Sequence, residues 1–180
     1  NRLDGGKRYF TQSDIDEMKR FELELDDQVK VRSFEFFDLS LTLLEKRMAE
    51  AQGYYNELID GDFDLTIDEE IEFDETKKPW AKDEAELKEY WRKFLKYEIM
   101  TRVARDLERQ EEGGLLGEEE KEEPIEIKSE EELIVEAKED IKERFGDWFE
   151  RLDDLRRSDR FEIYVCTITN YFDPHTGYFN

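Results

Sequence analysis

Long stretches of this chain place apolar side chains at alternating steps of three and four residues. That spacing puts the side chains on one face of an α-helix. The longest unbroken pattern predicts a helix from Ser33 to about Ile59. It consists of Phe34, Phe37, Leu41, Leu44, Met48, Ala51, Tyr55 and Leu58. Because apolar faces this wide must pack against other helices, we predict an all-α fold of about five helices in an irregular bundle.

The same periodicity predicts four more helices. A short one begins near Ser13 and carries Ile15, Met18, Leu25 and Val29 on one face, and a last one covers about Ser158 to Tyr171. The second long stripe comprises Leu87, Trp91, Leu95, Ile99, Val103 and Leu107, and the third comprises Ile134, Ala137, Ile141, Phe145, Trp148, Leu152 and Leu155. Ser33, Asp83 and Ser129 stand where side chains cap the first turns. We expect Trp91 and Trp148 to be buried, because each lies on its stripe.

Residues 62–78 break the helical spacing. Their apolar side chains, Leu65, Ile67, Ile71 and Phe73, are separated by even numbers of residues among many acids. This pattern favours an extended arm or short strands. Pro79 biases the residue before it towards extended geometry, and Trp80 is predicted to anchor the end of the arm to the core.

Residues 111–128 are predicted to form a mobile acidic loop. The segment reads EEGGLLGEEEKEEPIEIK, in which glycine, proline and repeated Glu disfavour a buried helix or strand.

The charge balance excludes several classes of partner. The chain has 51 acidic and 28 basic residues, for a formal net charge of −23. Nucleic-acid phosphates and anionic membrane surfaces both require clustered Lys and Arg, so neither is an expected partner. No apolar run approaches the ~18 residues of a membrane span. Aromatic residues make up 13% of the chain, which indicates a folded domain in spite of the high charge.

One acidic run has an alternative interpretation as a metal site. Asp60, Asp62 and Asp64 alternate as oxygen ligands do in a calcium loop. However, Leu65 stands where that loop needs Gly, and Ile71 stands where it needs a bidentate Glu. We therefore interpret the run as an acidic turn and keep calcium binding as a weaker alternative. No cofactor is expected.

No catalytic constellation is evident in this segment. His175 is the only histidine, and no Gly-x-Ser-x-Gly nucleophile motif is present. The single cysteine, Cys166, lies in an apolar helical stretch and is predicted to be a core thiol. A lone histidine makes a zinc site or a catalytic triad implausible.

Several motifs together resemble the N-terminal helical region of the tail-specific (C-terminal processing) serine proteases, peptidase family S41. They are YFTQSDID at 9–16, residues 21–27, FDLTIDEEIEFDETKKPWAKDEAELKEYWRKFLKYE at 63–98, and the terminal turn Asp173, Pro174, His175 and Thr176 followed by Tyr178 and Phe179. They run in the family's order over nearly the whole chain.

The resemblance implies a domain arrangement. Residues 1–172 would form an N-terminal helical domain, and 173–180 would be the turn leading to a PDZ domain beyond Asn180. The parent protein would be a serine endopeptidase with a Ser–Lys dyad that trims or degrades proteins recognised by their C-terminal ends. No residue here matches that dyad, so this segment would serve as scaffold, substrate path or docking surface for an adaptor.

The resemblance also implies partners and a location. The partners would be protein substrates, the parent PDZ and protease domains, and an adaptor protein. The location would be the periplasm or cell envelope, either free or held at the membrane by a signal before Asn1. The competing hypothesis is a free-standing acidic helical module that binds a basic or extended partner and has no protease activity.

Overall fold

The computed structural model describes residues 3–115 and 126–172, and it confirms an all-α fold. Six helices occur in this part of the chain: α1 (Gln12–Lys19), α2 (Leu25–Val31), α3 (Glu35–Leu58), α4 (Glu84–Leu115), α5 (Glu130–Asp153) and α6 (Arg157–Phe172). No described helix is long and apolar enough to cross a bilayer.

The core lies mainly between α4 and α5, which make the most extensive helix–helix contact. Each helix contributes a row of buried side chains spaced by four residues. The rows are Leu87, Trp91, Leu95, Ile99 and Val103 on α4, and Leu133, Ala137, Ile141, Phe145 and Phe149 on α5. Side chains four residues apart lie on the same face, so two such rows form one continuous apolar interface. Helix α3 adds Leu44, Met48, Ala51 and Tyr55 to this interface.

The buried face of α5 differs from the sequence prediction at its ends. Leu133 and Phe149 are buried, whereas Ile134 and Trp148 are half-buried against the rim of the core. A step of three and a step of four are equally compatible with one helical face. The direction from which α4 and α3 pack decides which of the neighbouring residues is covered. Trp91 is fully buried, as predicted, and the prediction for Trp148 was wrong.

The predicted N-terminal helix is two helices. Helix α1 ends at Lys19, and a series of turns over residues 20–24 precedes α2. In those turns the Phe21 ring packs edge-on against Phe36 of α3, with ring centroids 6.1 Å apart. This break accounts for six helices where about five were expected.

Two of the three predicted helix caps are confirmed. Ser129 and Glu132 form the reciprocal capping box of α5, and the Asp83 carboxylate accepts from the Glu86 amide at 2.9 Å. The prediction for Ser33 was wrong, because Phe34 occupies the N-cap of α3 without a side-chain hydrogen bond. Instead, the buried Gln28 of α2 accepts from the Phe36 amide at 3.1 Å. A residue from another helix thus binds a free amide of the first turn.

The segment predicted as a mobile loop begins inside α4. The helix continues through Leu115, about two turns beyond Leu107, the last residue of its predicted apolar stripe. Residues 116–125 lie outside the described residues, so the mobility predicted for this part of the loop stays a prediction. Helix α6 matches its predicted extent. It packs aromatic side chains against α3, and the ring centroids of Phe161 and Phe37 are 5.3 Å apart.

Residues 62–78 are non-helical, as predicted, and we call them the arm. No strand ladder forms in the described chain, so the short strands of the prediction are not found. Among residues 3–115 and 126–172, one isolated bridge forms, and it pairs Thr11 with Ala81 just beyond the arm. Trp80 packs against the core beside Phe10 and therefore anchors the end of the arm as predicted.

Candidate functional site: the arm and the face of α4

The arm is fastened to α4 by one carboxylate and two cations. Glu69 accepts from both Arg92 and Lys96, the latter at 2.7 Å. The Lys96 ammonium also donates to the backbone carbonyl of Ile67 at 2.6 Å, and its side chain is only 4% exposed. Hydrogen bonds from Arg92 and Lys96 lower the pKa of Glu69 to about 2. A charged Lys buried this deeply requires such partners, so the arm and α4 are held in one fixed register.

Ring contacts extend the attachment along the arm. The Phe73 ring lies 4.7 Å from the Tyr97 ring and 6.3 Å from the Phe94 ring. Leu65 and Ile71 pack against the same core. Residues 69, 71 and 73 thus face α4 or the core, which is the spacing of an extended chain with one face inward, whereas residues 65–67 form a turn.

A groove remains open between the arm and α4. It encloses about 490 Å³, and most of the surface that lines it is apolar. The lining side chains on α4 include Tyr97, Met100 and Ala104, and those on the arm include Leu65, Ile67 and Ile71. Glu69 and Lys96 are among the lining residues, and because they pair with each other the groove is preformed.

The far end of the arm is tied to the N-terminal segment. Lys78 donates to the carbonyls of Gly6 and Lys7 at 2.8 Å each, and Lys7 donates in return to the carbonyl of Lys78. The Asp4 carboxylate accepts from the amides of Arg8, Tyr9 and Phe10 and so folds residues 4–10 into a compact turn.

Lys78 lies in an unusual environment for a cation. Its ammonium sits 3.1 Å from the centroid of the Tyr90 ring, and the residue is 8% exposed. Burial lowers the pKa of Lys78 to about 7, although the charge of nearby Asp4 opposes this shift. The two carbonyls and the aromatic face are the groups that stabilise its ammonium form. Lys78 therefore has a structural role in joining the arm to the N-terminal segment.

A buried ion pair positions the helices beneath this segment. Arg47 of α3 contacts Asp14 of α1, and it also donates to Glu50 and to Glu84 at the start of α4. One guanidinium thus connects α1, α3 and α4. Since the N-terminal segment and the arm both rest on these helices, the ion pair fixes the frame on which the groove is built.

The weak metal candidates are not brought together. Asp60 pairs with Lys142 of α5, and Asp64 accepts from the amide and hydroxyl of Thr66 in a local turn. Asp62 is exposed. Within residues 3–115 and 126–172, no group of three or more acidic, His or Cys side chains has the geometry to hold a metal ion.

The remaining predicted positions have different outcomes. Cys166 is half-buried on α6 and is therefore not the fully buried core thiol that was predicted. The predicted inter-domain turn, Asp173, Pro174, His175 and Thr176, lies outside the described residues.

Sequence reasoning did not identify the groove. Its α4 side, Tyr97 and Met100, lies off the apolar stripe that runs through Leu95 and Ile99, and both side chains are more than 40% exposed. Large apolar residues on the polar face of a helix are a signal that could have found the groove. The spacing of apolar residues in the sequence does not show that the arm lies opposite these side chains.

These features define a helical bundle to which an extended arm is attached. In the described residues, the buried polar side chains join the arm, the N-terminal segment and the helices to one another. The chain belongs to the family of tail-specific protease N-terminal domains, whose family model matches residues 1–180. It is 25% identical over 181 residues to a tail-specific protease of Haemophilus influenzae. That alignment covers 98% of this chain and 22% of the relative, so the chain spans about a fifth of the relative's length.

Proposed function

We propose that this chain is the non-catalytic N-terminal helical domain of a cell-envelope serine endopeptidase that processes proteins recognised by their C-terminal ends. The observation that carries the proposal is the match of the family model to all 180 residues. In this role the bundle supplies a rigid body beside the substrate path and a surface on which an adaptor or substrate docks. The catalytic Ser–Lys dyad and the PDZ domain belong to the rest of the parent protein.

The hydrogen-bond partners of the serine hydroxyls support a non-catalytic role for this chain. A Ser–Lys dyad needs a serine hydroxyl within hydrogen-bond reach of a lysine amine. The hydroxyls of Ser13, Ser33, Ser40, Ser129 and Ser158 all contact groups on nearby residues of their own segment. Those partners are a Thr hydroxyl, carboxylates and backbone groups. None of these partners is a lysine amine.

The location also belongs to this proposal. We propose that the parent protein acts in the periplasm or at the cell envelope, as the resemblance to the envelope tail-specific proteases implies. Its partners there are protein substrates, its own PDZ and protease domains, and an adaptor protein.

Two measurements test the proposal. The reading frame downstream of Asn180 should encode a PDZ-like region and then a protease core with a nucleophilic Ser and a Lys base. The purified 180-residue chain should not hydrolyse a quenched-fluorescence peptide, whereas the parent protein should. A stop codon soon after Asn180 would favour the free-standing acidic module instead. Reproducible hydrolysis by the 180-residue chain would contradict the non-catalytic role.

A further inference from the structure

The groove between the arm and α4 concentrates exposed apolar surface. Ile67, Phe73, Tyr97 and Met100 lie on or beside it and are 53%, 44%, 43% and 41% exposed. The other large exposed apolar side chains of the described residues are scattered over the N-terminal segment, the turns before α2, α2 itself, the segment before α5, α5 and α6. Clustered apolar exposure beside a cavity marks an interaction surface, whereas single exposed residues do not.

Residues 62–73 of the arm form no backbone ladder with another segment of the described chain. No backbone–backbone hydrogen bond within the described chain involves residues 62–73, although the carbonyls of Ile67 and Glu70 accept from the Lys96 and Lys93 ammonium groups. Residues 69, 71 and 73 face α4 or the core, and Glu70 and Glu72 between them are exposed. The extended part of the arm, residues 68–73, pairs with no other backbone segment among the described residues, and it therefore has the properties of a free strand edge.

The charge around the groove has a single sign along the arm. Residues 62–76 include eight acids and no Lys or Arg. Several of these acids already have partners, including Glu69 with Arg92 and Asp74 with Lys77. Asp62, Asp68, Glu70 and Glu75 are exposed, and no ion pair involves them within the described residues. A ligand with cationic side chains would complement this surface.

We propose that the groove binds an extended polypeptide segment in which apolar and basic side chains alternate. The segment adds alongside the arm as a strand, so its apolar side chains enter the groove against Tyr97 and Met100. The alternate basic side chains then lie over the exposed carboxylates of the arm. This proposal specifies the docking role proposed above and rests on it.

The preformed geometry favours this occupant over a helix. The Glu69 ion pairs and the Phe73 ring contacts hold the arm in place before binding, so little ordering of the arm is required. An extended segment satisfies the free backbone groups of the arm, which a helix cannot do because its own backbone groups are internally bonded. The period of two along the arm also matches the alternation expected in the ligand.

The test is fluorescence anisotropy with the 180-residue chain and a labelled peptide of about eight residues, the length of an ordinary strand. The peptide alternates Val and Lys. Three control peptides alternate Val with Glu, alternate Ser with Lys, or carry N-methyl groups on the backbone amides of the Val–Lys sequence. We expect saturable binding of the Val–Lys peptide, binding at least about tenfold weaker for each control, and weakening with added salt.

Two double variants locate the site. Tyr97→Ser with Met100→Ser removes apolar groove contacts without changing charge, and it should raise the Kd about tenfold or more. Val135→Ser with Ile163→Ser removes two exposed apolar side chains elsewhere and should leave the Kd within about twofold. Circular dichroism and the melting temperature establish that each variant is folded.

Several outcomes would overturn the proposal. Equal binding of the Ser–Lys peptide would show non-specific attraction to an acidic surface, and equal binding of the N-methylated peptide would exclude strand addition. An unchanged Kd in the Tyr97→Ser/Met100→Ser variant would place binding elsewhere. These results concern the groove alone, because the proposed membership in a protease is tested separately by the reading frame and by peptide hydrolysis.

Discussion

Arg47 of α3 binds both carboxylate oxygens of Asp14 on α1, at 2.8 and 3.1 Å, and both side chains are only 6% exposed. Thr11 donates to the same carboxylate from its amide and its hydroxyl. Burial alone would raise the pKa of Asp14, but the hydrogen bonds from Arg47 and Thr11 outweigh it and hold the pKa below its usual value. Two helices that are distant in sequence are therefore joined by a buried charge pair.

Removing one member of this pair should be costly. Asp14→Asn removes the carboxylate that pairs with the buried guanidinium of Arg47. This variant should lower the free energy of unfolding by about 3–5 kcal/mol. Asp16→Asn on the exposed side of α1 is the matched control and should change it by less than about 0.5 kcal/mol. Urea denaturation at pH 7 measures both. Similar small losses in the two variants would show that the buried pair contributes little.

The two tryptophans of the long stripes should differ in importance. Trp91 is fully buried and donates its indole N–H to the carbonyl of Arg8 at 2.9 Å, whereas Trp148 lies half-buried at the rim. Trp91→Ala should destabilise the chain by about 3–5 kcal/mol, because it leaves a large cavity in the core. Trp148→Ala should lower the free energy of unfolding by clearly less, because this side chain is only half-buried. Thermal and urea unfolding of the two variants give the comparison, and equal losses would contradict the structure.

Gly146 offers a stabilising substitution. It lies within α5, where a Cβ would meet no atom within 4 Å apart from its chain neighbours and the backbone of its own helix. Gly146→Ala should raise the free energy of unfolding by roughly 0.5–1 kcal/mol, because Ala loses less backbone freedom on folding. Gly61→Ala is the comparison, since its Cβ would lie 3.1 Å from the carbonyl oxygen of Leu58. We expect no gain in that variant. A loss of stability in Gly146→Ala would contradict the open space at this position.

The Tyr55 hydroxyl should be dispensable. It is buried and has no hydrogen-bond partner in the described part of the chain, while its ring stacks on Phe145 at 5.3 Å. Burial raises the pKa of Tyr55 to about 12, so the group stays neutral. Tyr55→Phe keeps the ring contact and removes an unsatisfied polar group, so stability should rise by about 1 kcal/mol or stay unchanged. A loss above about 1 kcal/mol in urea denaturation would reveal a partner for the hydroxyl.

Acid should weaken the attachment of the arm only at low pH. Because the pKa of Glu69 is lowered to about 2 in the folded chain, its contribution is fully present above its ordinary value near 4.5. That contribution is lost as the pH falls from 4.5 towards 2. A carbon-13 NMR titration of the Glu69 carboxyl should give a midpoint near 2. Arg92→Gln removes one donor and should raise this midpoint; an unchanged midpoint would show that Arg92 does not lower the pKa.

Much of the fold could be predicted because it depends on local spacing. The rows of apolar residues specify α3, α4, α5 and α6, and Ser129 caps α5 through residues three positions away. These features arise within a few turns of one helix, where side-chain position follows directly from sequence separation. The order of the family motifs gave the family, which the match over residues 1–180 confirms.

The details that depend on a second segment could not be predicted. Which neighbour, Trp148 or Phe149, is buried depends on the direction from which α4 packs against α5. The cap of α3 comes from Gln28, and the groove exists because Glu69 reaches Arg92 and Lys96 more than twenty residues away. Sequence periodicity determined the helices and their apolar faces, since those depend on backbone geometry alone. Only the tertiary structure decided the groove and the buried ion pairs, because both require groups that chain folding brings together.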